Sequence, residues 1–283
     1  MDSTQRTTIA GLVVVACLAS AALAETRKEF RFTVGPKTNV SVDTAYGAIT
    51  VKPGPVGQVL AVAVLQSNKV QVDDLQKGNR IELESHLLQG ADDQSGRVDF
   101  ELTVPPDTSV SLHSSTGPLS VEHLRGDLTL EGVAAPVDVR NVSGGHVHVK
   151  TMSGSITLTE VRSAHVEITS IGGDVHLNSV TGPLVQVGTS SGRIFYDGDF
   201  GLGGNYNFMT HNGDIEALVP AGASADFNAR SMRGEVQSDV SLAPNEPPLF
   251  RPEVGRSFFG TVGKAASEVV FKSFSGKIRL KRR

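Results

Sequence analysis

Few residues in this chain could do chemistry, and the most suggestive are histidines. His146, His148 and His165 fall close to Glu167, and imidazole with carboxylate is a common donor set for zinc. In a backbone that repeats every 19 residues, His146 and His165 share one outward column on adjacent coils. His148 and Glu167 share the next, and Asp127 and Thr129 stand one coil earlier. Strands stacked about 4.8 Å apart would bring the four side chains towards one metal ion. The competing reading is a solvated polar face, where any hydrophilic residue serves. Either way the face would gain positive charge below about pH 6.5.

Paired carboxylates would be the signature of a polysaccharide-cleaving site. Asp174, Asp214 and Glu216 are the nearest candidates, but the coil carrying Arg193 separates them. Ser153, Ser191 and Ser275 each precede a glycine and read as turn residues rather than nucleophiles. Gly-x-Ser-x-Gly, His-Glu-x-x-His and P-loop motifs are absent. Gly201-Leu202-Gly203-Gly204 opens no helix, so it is no phosphate cradle. The expectation is therefore a non-enzymatic chain with no catalytic residue and no cofactor. Its one metal candidate is the His146, His148, His165 and Glu167 cluster.

The elements that would position these residues come from a repeat. From residue 117 on, glycine, any residue, apolar, any residue, apolar recurs: Gly117-Pro118-Leu119-Ser120-Val121, Gly126-Asp127-Leu128-Thr129-Leu130, Gly154-Ser155-Ile156-Thr157-Leu158 and later copies from Gly192, Gly213, Gly234 and Gly276. Ala135, Ala164, Ala225 and Ser267 take the glycine place in between. The starts are nine or ten residues apart, too close for helices and right for short strands with turns. Two such strands make a coil of about 19 residues, and coils stacked in parallel make a β-solenoid with ladders such as Ile156, Val175 and Ile194. A third apolar residue (Val133, Val142, Met152, Val161, Ile171, Val180) follows each strand and is expected to point inward. A β-sandwich with regular hairpins would explain the spacing but not the shared in/out phase of every strand. The fold class is all-β, a parallel β-solenoid with two short strands per coil and an irregular N-terminal β cap.

Residues 25–116 are less regular, with strands around Phe30, Val40, Ile49, Val62, Ile81 and Phe100. They read as a β section continuous with the solenoid and capping it. The rhythm also lapses between about 239 and 266, an inserted loop holding Pro244, Pro247, Pro248, Pro252, Phe250, Phe258 and Phe259. Those phenylalanines either pack back on the solenoid or form a partner patch. The basic end, Lys277, Arg279 and Lys281, reads as a solvated cap or as a contact for anionic lipid or polysaccharide.

Residues 1–24 read as a signal peptide: Arg6, an apolar stretch from Ile9 to Ala22, and the Ala22-Leu23-Ala24 cleavage signal. Val14-Val15-Ala16-Cys17 is also a passable lipobox, which makes Cys17 a possible lipid anchor. It is the only cysteine, so cleavage after Ala24 would leave a chain without disulfides or thiol chemistry. No later segment is long and apolar enough for a membrane helix. The net charge of −4 gives no reason to expect nucleic acid as a partner. Glycine numbers 30 of 283 residues and tryptophan is absent, which suits tight corners around a thin aliphatic core.

The Ser-Gly-x-Ile-x-Leu unit, in Met152-Ser153-Gly154-Ser155-Ile156-Thr157-Leu158 and Phe274-Ser275-Gly276-Lys277-Ile278-Arg279-Leu280, resembles the bacterial putative-adhesin, β-strand-repeat family of unassigned function. Val40-Ser41-Val42 followed by Tyr46-Gly47-Ala48-Ile49-Thr50-Val51, and Phe100-Glu101-Leu102-Thr103-Val104-Pro105-Pro106, are similar to its N-terminal pattern. The resemblance implies a secreted β-solenoid and carries no catalytic motif. The expected function is an adhesin-like or scaffold protein of the bacterial cell envelope, extracytoplasmic, with an envelope protein or glycan as partner. Two alternatives stand beside it: a polysaccharide-acting enzyme, and an envelope-stress or signalling accessory protein.

Overall fold

Alternating burial along each repeat unit gives the fold its strands. In Ile156–Arg162 the side chains of Ile156 and Leu158 are sealed from solvent while Thr157 between them is not. Each buried aliphatic side chain contributes about 1.5–3 kcal/mol. The partner strands repeat this phase in parallel register, so Ile156, Val175 and Ile194 form a continuous ladder. The computed structural model describes residues 25–243 and 255–283, which hold strands and no helix. The proposed leader with Cys17, and Pro244, Pro247, Pro248, Phe250 and Pro252, lie outside them.

Every coil of the array gives one strand to each of two facing 12-stranded sheets. Sheet I runs through Leu119–Glu122, Val137–Ser143, Ile156–Arg162, Val175–Asn178, Ile194–Asp197 and Ile215–Val219. Sheet II runs through Ser109–Ser114, Leu128–Gly132, His146–Thr151, His165–Ser170, Leu184–Thr189 and Asn205–Thr210. All neighbours in these runs are parallel, as a solenoid requires and hairpins forbid.

The corner glycines serve close approach. A Cβ on Gly173 would stand 2.0 Å from the Gly154 carbonyl oxygen, and one on Gly213 1.9 Å from that of Gly192. Each glycine thus rests on the backbone of the coil before it. Three residues upstream, a buried hydroxyl holds the same corner. The Gly173 N–H donates to Ser170 Oγ at 3.0 Å, Gly192 to Thr189 at 3.1 Å, Gly213 to Thr210 at 3.0 Å and Gly276 to Ser273 at 2.8 Å. These hydroxyls form a buried column along sheet II, satisfying backbone donors that the turn would otherwise strand.

The third apolar positions divide by sheet. Val142 and Val161, near the ends of their sheet I strands, and Val180, just beyond one, are fully buried as expected. Val133, Met152 and Ile171, which follow sheet II strands, point outward and are 43%, 51% and 52% exposed. In sheet I a left-handed residue intervenes, at Asn141, Glu160 and Ser179, with φ between 53° and 55°. It resets the alternation so that the next side chain turns inward. Sheet II lacks that residue. There the buried hydroxyl of Thr151 or Ser170, or Gly132 in one coil, takes the inward place, and the next residue faces solvent.

Both ends depart from sequential stacking. The coil Asn39–Thr44 with Ile49–Pro53 lies between Arg80–Leu87 with Val98–Val104 and the first array coil. Beyond it, antiparallel pairing of Thr26–Thr33 with Gln58–Leu65, and of Val70–Lys77 with Arg80–Leu87, closes the end. At the other end Glu268–Ser273 and Ile278–Arg282 do not follow the coil Ala225–Ser231 with Val236–Ser238. They lie between it and Asn205–Thr210 with Ile215–Val219. Ser257–Val262 pairs antiparallel with the outer side of Ala225–Ser231. Here the core is aromatic: Tyr196, Tyr206, Phe208, Phe227 and Phe271 are fully buried.

Candidate binding face

The two outer faces are chemically different. On sheet I, acids and bases alternate up one column at the residue after each corner glycine: Asp174, Arg193, Asp214, Lys277 and Glu235. Arg193 makes a two-nitrogen contact with Asp174 Oδ2, at 2.8 and 3.1 Å, and its backbone N–H donates to Oδ1 at 2.8 Å. Partial burial pushes the Asp174 carboxyl up, but the Arg193 N–H and guanidinium outweigh it and hold the group below its usual value. Arg279 lies 3.6 Å from Asp214, Lys281 2.9 Å from Glu216, and Arg283 is paired with Asp197 and, at 3.0 Å, with Asp199. Farther along, Arg140 pairs with Asp138 and Lys52 with Glu122. The three carboxylates weighed as a hydrolytic cluster are therefore each tied to a cation. The basic residues of the C-terminus lie within the sheet rather than on an exposed final strand.

Sheet II carries a different set. One outward column reads Ser41, Ser111, Thr129, His148, Glu167, Gln186 and Asn207 in direct register. His148 Nδ1 is 3.6 Å from Glu167 Oε2. In the column beside it, Asp127 Oδ1 accepts the His146 backbone N–H at 2.8 Å and lies 3.6 Å from His146 Nδ1. His146 Nε2 and His165 Nδ1 are 3.0 Å apart, a hydrogen bond between two rings set edge to face at 4.8 Å. The 19-residue register thus places His146 beside His165 and His148 beside Glu167, as read from the sequence. The two pairs stay in separate columns. Among the described residues no three His, Cys, Asp or Glu side chains are placed to hold a metal ion.

A shallow groove of about 350 Å³ continues this face, lined by Asn39, Ser41, Arg80, Ser109, Ser111, Asp127 and Thr129. Sequence reasoning missed it because it joins array strands to Asn39 and Arg80, which are 41 residues apart in the chain yet paired in the sheet. The available signal was the alternation of Ser109-Val110-Ser111-Leu112. A larger cleft, about 830 Å³, opens beside the N-terminal turns. Two of its acids are already engaged. Asp92 accepts from the Ser95 hydroxyl and N–H, which hold its carboxyl below the usual range, and Asp99 accepts from Arg97 and the Ala48 N–H.

Two parallel-rich sheets facing across one core, wound coil by coil with a polar outer face, define an all-β solenoid. The chain belongs to the Toastrack DUF4097 family, whose model matches residues 38–281. The fold is similar to that of a protein described as a putative adhesin from Bacteroides fragilis, with 12% identity, a TM-score of 0.51, and cover of 91% of this chain and 98% of that one. A putative adhesin from Parabacteroides distasonis shares 12% identity over 91% of this chain and 97% of its own, with a TM-score of 0.36. A putative cell adhesion protein from Clostridium sporogenes shares 15% over 91% and 100%, with a TM-score of 0.28. No curated protein matches the chain. Among the described residues no helix is long and apolar enough to cross a membrane.

Proposed function

We propose that the chain is a non-enzymatic, adhesin-like binding protein of the bacterial envelope, and that the outer face of sheet II is its binding surface. The observation that carries this reading is the contrast between the faces. Sheet I spends its charges on Arg and Lys pairs with Asp and Glu, while one outward column of sheet II presents hydroxyls, amides and an imidazole in register, with Glu167 the single carboxylate of the run from Ser41 to Asn207. Such columns offer donors and acceptors at about 4.8 Å intervals along a rigid surface, suited to a long polar partner such as a glycan. The proposed leader at residues 1–24 supports a location outside the cytoplasm, with Cys17 as a candidate lipid anchor. The resemblance to adhesin-like proteins supports the same reading.

The test is binding of the purified chain to isolated envelope polysaccharide, measured by co-sedimentation. Replacing Thr129 and Gln186 with arginine should weaken binding about tenfold or more, with the far-UV circular dichroism unchanged. The same replacement at Thr157, on sheet I, should leave it unaltered. Equal loss from both faces would defeat the assignment.

A further inference from the structure

The coil formed by Glu268–Ser273 and Ile278–Arg282 is out of order in the stack. Its strands fill a slot between two coils that precede them in the chain. Everything they touch is distant in sequence: Lys277 N–H donates to Asp214 across 63 residues, and Ser231 Oγ donates to Gly276 O across 45. The slot presents acids to a basic strand. Without Lys277, the acids Asp214 and Glu235 would be neighbours in one column. Without Arg279 and Lys281, Asp214 and Glu216 would each lose the cation that pairs with it.

One short crossing, residues 263–267, connects this coil to the rest. It passes the end of strand Ala225–Ser231, held by Lys264 N–H on Ser224 Oγ at 2.9 Å and Ala266 N–H on Ser224 O at 3.1 Å. Within it Ala265 is left-handed, with φ 52°, a conformation that an alanine side chain disfavours. An element with only distant partners, joined to the preceding strands by one strained turn, meets the conditions for exchange between copies.

We propose that residues 264–283 are exchanged between two copies of this chain, each inserting its C-terminal coil into the slot of the other. The interaction surface is the slot, its acidic column is the recognition element, and the partner is a second copy. Opening the crossing also frees Ala265 from its left-handed conformation.

Glu216 and Arg279 face each other directly in the register, so a disulfide between them reports whose coil fills whose slot. In a Cys17→Ser background, one full-length chain carries Glu216→Cys and another Arg279→Cys. The two are unfolded, mixed, refolded over a range of concentrations and oxidised. Exchange predicts a disulfide-linked heterodimer that grows with concentration and that neither chain forms alone. A chain carrying both substitutions reports that the position can close. If that chain forms its internal disulfide while the mixture stays monomeric at every concentration, the proposal is overturned.

Discussion

Gly132 and Ala135 carry the residue-scale argument. In most coils of the array a Ser or Thr stands three residues before the corner glycine, as in Ser170 with Gly173. Here the order is inverted. Glycine occupies the hydroxyl position at 132, and alanine the glycine position at 135. A Cβ on Gly132 would stand 2.6 Å from the Ala135 Cβ, so the alanine methyl fills the space a hydroxyl takes elsewhere. The two exceptions to the pattern therefore compensate each other. Gly132→Ser alone should destabilise the fold by about 1–3 kcal/mol through overpacking. Ala135→Gly alone should also destabilise it, because the corner gains neither methyl nor hydroxyl. The double substitution restores the common Ser-x-x-Gly corner and should recover most of the loss in urea denaturation, with a coupling energy of about 1 kcal/mol or more. Additive losses would show that the two positions act independently.

At the scale of elements, period-two alternation makes the strands legible and the turns less so. Leu119, Ile156, Val175 and Ile194 declare their inward phase, and the register that sets His146 beside His165 follows from the same count. The phase beyond each strand was not legible. Val161 and Ile171 occupy matching places in their repeats, yet one is sealed and the other half-exposed. The difference lies in the backbone at Glu160, with φ 55°, and glutamate is not a residue whose type announces a left-handed turn. The buried hydroxyl column was overlooked for a related reason, since serine and threonine beside glycine read as loop composition. Val161→Ala should cost about 2 kcal/mol, combining lost burial with a cavity. Ile171→Ala should shift stability by no more than about 0.5 kcal/mol. Chemical denaturation of the two variants separates them, and equal costs would contradict the alternation of inward and outward corners.

For the whole molecule, an interior coil and a terminal coil have different standing although they are similar in length. Each interior coil contacts only its two neighbours, so stability approximates a sum over coils and their interfaces. Deleting residues 154–172 joins Ser153 to Gly173 and removes one coil without shifting phase, since Gly173 takes the corner place that Gly154 held. The shortened chain should fold, keep its β-type circular dichroism, and melt cooperatively only a few degrees lower. Deleting residues 264–283 removes a similar length but acts on the stack differently. It empties a slot between two existing coils and sets Asp214 against Glu235 in the same column. It also parts Ala225–Ser231 and Val236–Ser238 from the sheets they extend. The last coil and its aromatic core, including Phe227, should then detach, with loss of cooperative melting at that end and early proteolysis between residues 220 and 262. Local repeats declare the interior of such a solenoid, but its ends close through strands paired out of the 19-residue order, as Asp226 with Glu268 and Thr26 with Leu65, which the repeat count does not contain. If the two deletions melt alike, the intercalated coil contributes no more than any other, and the ends of the solenoid are as modular as its middle.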